Sequence, residues 1–147
     1  MSTNKQKIQV DKQEIEFSRE ENLWFCQLKK DYDQIEASID TEKYCSEIDW
    51  SKIRDFFIHF KQNKEKYIEI CYAPLKMLAK TTTFFSDEQI QDGEFAISGI
   101  EILDNQHSLE NKWEFELQFE LLDSDPYGLW TVTFQCNCIV GIRREQL

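Results

Sequence analysis

Apolar side chains alternate with polar ones through the N-terminal third: Ile15 and Phe17, then Trp24, Cys26 and Leu28, then Ile35, Ala37 and Ile39. A two-residue period sends successive side chains to opposite faces of a strand, so these runs predict short strands with one wet face. Between the last two runs, Lys29-Lys30-Asp31-Tyr32-Asp33 supplies turn formers for a tight reversal and therefore an antiparallel meander.

The period then lengthens. Trp50, Ile53, Phe57 and Phe60 recur at three- and four-residue steps, which places their rings on one helical stripe, with Asp49 as its N-cap. Asn63 reads as a stop, followed by a second helical segment through Tyr67, Ile70, Cys71, Leu75 and Leu78 that is bent or broken near Pro74. Three β-branched residues, Thr81-Thr82-Thr83, oppose its continuation.

Past these helices the two-residue period returns. Phe95, Ile97, Ile100 and Ile102 predict a strand whose register shifts at a bulge near Gly99. Trp113, Phe115, Leu117, Phe119 and Leu121 alternate with Glu114, Glu116, Gln118 and Glu120, the clearest strand pattern in the chain. Asp125-Pro126-Tyr127-Gly128 offers a hairpin turn leading into Trp130, Val132, Phe134, Cys136, Cys138 and Val140. The fold class expected is α+β: an antiparallel sheet made of an N-terminal meander and C-terminal strands, with one or two central helices packed on one face. A chain of 147 residues holds one domain, residues 1–147.

No run approaches the roughly 20 apolar residues of a bilayer crossing, and residues 1–11 are polar and Lys-rich, unlike a secretory leader. The five cysteines, at positions 26, 45, 71, 136 and 138, form an odd set that argues for reduced thiols over a disulfide framework. A cytoplasmic location without membrane contact is expected.

Charge changes the picture most. Residues 81–142 hold twelve acids and one base, Lys112, a difference equal to the net charge of −11 for the whole chain. Residues 50–80 carry seven bases against three acids, so the helical part is mildly positive. Strand alternation puts Glu114, Glu116 and Glu120 on one face, where successive carboxylates lie roughly 7 Å apart, within the Debye length of about 8 Å. Such a face either keeps a wet sheet surface soluble or recruits a basic partner; alternatively, the basic helices face acidic loops of the same fold.

Candidate chemistry is sparse. Cys136-Asn137-Cys138 lacks the spacing and the further ligands of a zinc site, so these thiols are expected in the core beside Phe134 and Val140. His59 and His107 stand outside any nucleophile motif, His59 on a helix flank and His107 in a polar loop. Neighbouring glutamates on one strand share similar environments, whereas an acid and base pair needs environments that separate the two pKa values. The glycines at 93, 99, 128 and 141 never cluster into a phosphate-binding loop, and the net charge opposes direct nucleic-acid binding. No metal, no cofactor and no catalytic residue is expected. The aromatic residues fall mostly on core stripes, although Trp24 and Trp130 would line a small-ligand cavity in a curved sheet.

The Trp-Ser-Lys-Ile-Arg-Asp-Phe-Phe helix from Trp50, and the stretch from Tyr127-Gly128-Leu129-Trp130-Thr131-Val132 to Gly141-Ile142-Arg143-Arg144, resemble small, uncharacterised acidic bacterial α+β proteins, some of the toxin-immunity type. That resemblance implies a non-enzymatic inhibitor that binds a basic partner, and it transfers no functional residue. The function expected is a non-catalytic protein-binding module engaging a basic protein through Glu114, Glu116 and Glu120, with Asp123 and Asp125 at the rim. The alternatives are an acidic nucleic-acid mimic and a small-ligand domain with an aromatic pocket.

Overall fold

The computed structural model describes residues 4–28, 35–44, 47–82, 94–104, 113–122, 125–135 and 137–147. The turn expected over residues 29–33 lies outside these residues, as do Cys45, Gly93, His107, Lys112, Asp123 and Cys136.

The described residues form eight strands and one helix: β1 (Lys5–Val10), β2 (Gln13–Glu20), β3 (Leu23–Gln27), β4 (Glu36–Asp40), α1 (Trp50–Thr81), β5 (Glu94–Asp104), β6 (Glu114–Leu122), β7 (Asp125–Gln135) and β8 (Cys138–Gln146). The strands lie in one sheet in chain order, with β1 and β8 at its edges. The α+β class holds, but the sheet is mixed. β4 and β5 run parallel, Ala37 beside Ile100 and Ser38 beside Glu101, while the other neighbours are antiparallel. The cause is the helix: a crossover through α1 returns the chain to the same end of the sheet, which forces parallel pairing at that joint.

The expected strands match the burial. Ile15, Phe17, Trp24, Cys26, Leu28, Ile35, Ala37 and Ile39 are buried, as are Phe115, Leu117, Phe119 and Leu121. β1 was hidden by its lysines. Ile8 and Val10 nonetheless alternate inward, and Asp11, at φ 54°, turns the chain into β2. The register of β5 slips between Ile97 and Gly99, at the expected bulge.

Of the one or two central helices expected there is one, and it runs unbroken through Asn63 and Pro74. Asp49 caps it, its carboxylate accepting from Ser51 N at 3.1 Å and Ser51 Oγ at 2.6 Å. The Ser51 hydrogen bond holds the Asp49 carboxyl below its ordinary range. Asn63 does not stop the helix, because its side chain bonds back to the His59 carbonyl at 2.9 Å. Pro74 removes one backbone donor, yet Cys71, Leu75 and Ala79 are fully buried around it, and that packing carries the helix through. The chain leaves the helix at the threonines: the hydroxyls of Thr81 and Thr82 both donate to the Leu78 carbonyl.

The sheet curls around α1. Phe57 meets Phe17 of β2 at 6.0 Å, its neighbour Phe56 meets Phe115 of β6 at 5.1 Å, and the two helical rings lie 5.2 Å apart. These contacts reach from β2 to β6 in less than the roughly 19 Å that four strand spacings cover in a flat sheet. Further along, Tyr67 packs on Phe134 of β7 at 5.2 Å. Trp24 and Trp130 are buried parts of this aromatic interior. Among the described residues, no helix is long and apolar enough to cross a membrane.

Two expectations at the C-terminal end are corrected. Asp125-Pro126-Tyr127-Gly128 lies within β7 and makes a wide irregularity: Asp125 pairs with Leu121 and Trp130 with Phe119, leaving four residues opposite Glu120. The expected single strand through Val140 is instead two antiparallel strands, Gln135 of β7 pairing with Cys138 of β8, and Asn137 before Cys138 adopts φ 67°. Cys138 therefore faces solvent beside Gln135, and Val140 is exposed, not packed in the core.

Candidate partner-binding face

Alternation sends the side chains between the core positions to the outer face, the one turned away from α1. On β6 these are Glu114, Glu116, Gln118 and Glu120; on β5, Glu101 shares the face because Ile100 and Ile102 are buried. On β4 they are Glu36, Ser38 and Asp40, between the buried Ala37 and Ile39. With Glu94, exposed next to the buried Phe95 at the start of β5, seven carboxylates among the described side chains thus occupy the outer face of three adjacent strands.

At its centre, Glu101 and Glu116 are direct cross-strand partners, exposed by 7% and 6%. Like charges placed opposite each other destabilise a sheet unless other groups compensate them. Two cations do so from the flanks. Arg143 of β8 reaches across β7 and donates through Nη1 to Glu116 Oε1 at 2.9 Å and through Nη2 to Oε2 at 3.2 Å. Lys43, just after β4, donates to Glu101 Oε1 at 3.4 Å. Thr133 adds a long hydroxyl bond, 3.4 Å, to Glu116.

The two carboxylates differ in environment. Burial raises the pKa of Glu101, the charges of Glu116 and Asp40 add to the rise, and Lys43 opposes it. Glu116 has both oxygens taken up by a guanidinium, a fork geometry among the stronger hydrogen-bonded ion pairs.

The other carboxylates surround this centre. Glu114 is half-buried and accepts from Gln135 Nε2 at 2.7 Å, while Glu36 and Glu120 are exposed. Among the described residues no cation lies within 4 Å of Glu36, Asp40, Glu114 or Glu120. Past Asp40 the acidic surface continues into an open cleft of about 380 Å³ at the β2–β3 turn, lined by Glu20, Glu21, Asn22, Leu23, Asp40 and Glu42.

Of the residues expected from sequence, Glu114, Glu116 and Glu120 do share this face, although Glu116 is buried in an ion pair. Asp123 lies outside the described residues. Asp125 is not at the rim: it pairs with the core residue Leu121, on the helix side of the sheet. There it accepts from Trp130 Nε1 at 2.9 Å, Arg144 Nε at 2.7 Å and Arg144 Nη2 at 2.9 Å. The Arg144 hydrogen bonds hold its carboxyl below the ordinary range. Gly128 is part of this knot, since a Cβ there would lie 1.8 Å from Asp125 Oδ2. Asp125 is thus a buried structural anion.

Sequence reasoning missed Glu36, Asp40 and Glu101. Each alternates with core residues, so its outward direction was readable. Their place beside Glu114 and Glu116 was not, because it depends on the parallel β4–β5 joint and the β5–β6 register. Among the described residues no group of three or more His, Cys, Asp or Glu side chains is arranged to hold a metal ion. Comparison of the chain with protein-family models, with curated proteins and with solved structures found no match.

Proposed function

We propose that the protein is a non-catalytic binding module that takes a basic protein surface onto the outer face of β4, β5 and β6. The observation that carries this reading is that Glu36, Asp40, Glu114 and Glu120 surround the compensated Glu101–Glu116 pair on one face with no cation within 4 Å among the described residues. A wet sheet face needs only scattered polar groups for solubility. Here like charges are concentrated, and the carboxylates around the central pair have no cation within 4 Å among the described residues, so the field of the face points outward. Such a field raises the encounter rate with a cationic partner and disfavours acidic competitors. Inhibition of a basic toxin, as the sequence resemblance implies, is one form this binding would take.

The test compares wild type with Glu36→Gln/Glu114→Gln/Glu120→Gln. These sites take no part in the ion pairs described above, so the substitutions leave the Arg143–Glu116 and Lys43–Glu101 contacts in place. Lysate is passed over each immobilised protein at low salt and eluted with rising salt. A basic protein retained by wild type, lost from the variant and then shown to bind purified wild type in a salt-dependent titration supports the reading. Equal retention of every captured protein by both chains removes the face from consideration.

A further inference from the structure

On the opposite side of the sheet, α1 and the β7–β8 turn meet through a chain of four side chains. Tyr67 Oη donates to Asn137 Oδ1 at 2.7 Å. With that proton committed, the 2.7 Å contact between Tyr67 Oη and His59 Nε2 requires the imidazole N–H to be the donor. Asn63 Nδ2 then donates to His59 Nδ1 at 3.3 Å, and also to the His59 carbonyl at 2.9 Å. Both ring nitrogens are engaged in the neutral form, which burial of the ring also favours. A nitrogen already hydrogen-bonded in this way is poorly placed to take a proton from a substrate, so the cluster is built for holding rather than for acid–base chemistry.

Donors remain. Asn137 spends its oxygen on Tyr67, which leaves the Nδ2 hydrogens of the same carboxamide, and Asn137 is fixed in the left-handed region by the turn. Asn137 and Lys66 line the same cleft, of about 110 Å³, together with His59, Asn63, Tyr67 and Ile70. None of these six described lining residues is acidic, in a chain of net charge −11, and among the described residues no carboxylate lies within 4 Å of Lys66. The space corresponds to roughly four molecules of liquid water at about 30 Å³ each.

We propose that this cleft binds a small oxyanion, a carboxylate or phosphate group, between the Lys66 ammonium and the Asn137 carboxamide. Lys66 supplies the charge. Asn137 supplies directed N–H donors, and the Asn63–His59–Tyr67 chain fixes the Asn137 carboxamide so that its nitrogen, not its oxygen, is left for the ligand. Ile70 closes the apolar side, which suits an anion carried on a short hydrocarbon. This inference is independent of the acidic face, which lies on the other side of the sheet.

The experiment is a proton–nitrogen NMR titration of the full chain with acetate and, separately, inorganic phosphate, at constant ionic strength set by chloride. Saturable shifts at the Asn63 and Asn137 side-chain amides and the His59 ring, with a dissociation constant on the order of millimolar, are expected. Lys66→Gln, on an exposed helix position, and Asn137→Gly, which keeps the positive φ, should each weaken binding roughly tenfold or more. Saturation by acetate alone identifies a carboxylate site, by phosphate alone a phosphate site, and by both a general oxyanion site. Absence of saturable shifts with either anion overturns the inference, as does an unchanged affinity in Lys66→Gln.

Discussion

Glu101 and Glu116 face each other across neighbouring strands, each drawn toward a different cation: Glu116 to Arg143 at 2.9 Å and Glu101 to Lys43 at 3.4 Å. The Arg143 contact is forked and short, whereas the Lys43 contact is single and long, so the repulsion falls mainly on Glu101. Burial raises the pKa of Glu101, Lys43 opposes the rise and the charge of Glu116 adds to it.

Replacing Glu101 by Gln removes the repulsion and keeps an acceptor for Lys43. At pH 7 the variant should be more stable than wild type by up to roughly 1 kcal/mol, the scale of a cross-strand pair. The sign follows from the raised pKa: the native state binds the proton more tightly than the unfolded chain, so this contribution is fully present below the ordinary value of 4.5 and is lost as pH rises through the native value. Urea unfolding at several pH values should therefore show the gain of Glu101→Gln shrinking as pH falls through the native value, with none of it left below pH 4.5. A variant less stable at pH 7 would contradict this assignment.

Arg143→Met strands Glu116 without its counterion. A loss of about 2 kcal/mol is expected, at the low end for a buried pair because the arginine itself is half-exposed. Adding Glu116→Gln to Arg143→Met should recover a large part of it. A double-mutant cycle from urea unfolding measures this, and strictly additive effects would mean that the pair does not interact.

Gly128→Ala forces a methyl group into the space of the Asp125 carboxylate. Displacing a buried anion from Arg144 and Trp130 should cost about 2 to 3 kcal/mol, read as a fall in melting temperature. The depressed pKa of Asp125 adds a pH signature, since its stabilisation is present above the ordinary value of 3.8 and is lost as pH falls through the native value. The destabilisation by Gly128→Ala should accordingly be larger at pH 7 than in strong acid. Wild-type melting behaviour in the variant would show that Asp125 can move at no cost.

His59 is neutral in the native structure and its pKa is lowered by burial, so the unfolded chain takes up the proton first. Stability should fall as pH drops below the ordinary value of 6.5, until the native histidine is itself protonated. His59→Gln should flatten this part of the pH profile, as followed by thermal melts between pH 5 and pH 8. An unchanged profile in the variant would remove His59 as its source.

Burial pushes the thiols of Cys26 and Cys71 up to about 12, and Cys138 is exposed. Brief iodoacetamide treatment of the native protein at neutral pH, followed by peptide mass mapping, should alkylate Cys138 and spare Cys26 and Cys71. Equal labelling of the three would mean that the core opens on that timescale.

Elements with an unbroken period were legible in the sequence, since the alternation around Phe115 and the stripe around Phe57 each bury one side of their element. Misreadings arose where a side chain compensates for a local signal. Asn63 looks like a helix stop until its amide is seen bonded to the preceding turn, and Pro74 looks like a break until the burial of Cys71 and Leu75 is known. The charge pattern misled through its boundary. The acid-rich stretch ends at Ile142, and the next two residues, Arg143 and Arg144, are the counterions of Glu116 and Asp125. Pairing across a sheet sets such partnerships, and position along the chain does not reveal them.

The parallel joint between β4 and β5 gives the molecule a seam. Each meander closes through contacts near in sequence, whereas Ala37 and Ile100, neighbours at the seam, are separated by the whole helix. Contacts between distant segments require closure of a long loop, which makes this joint the expected late step of folding and the natural line of first separation. Glu36 and Asp40 stand on one bank of the seam, and Glu101, Glu114 and Glu120 on the other. A cationic partner lying across all of them would act as a suture, holding the two meanders together in proportion to its occupancy.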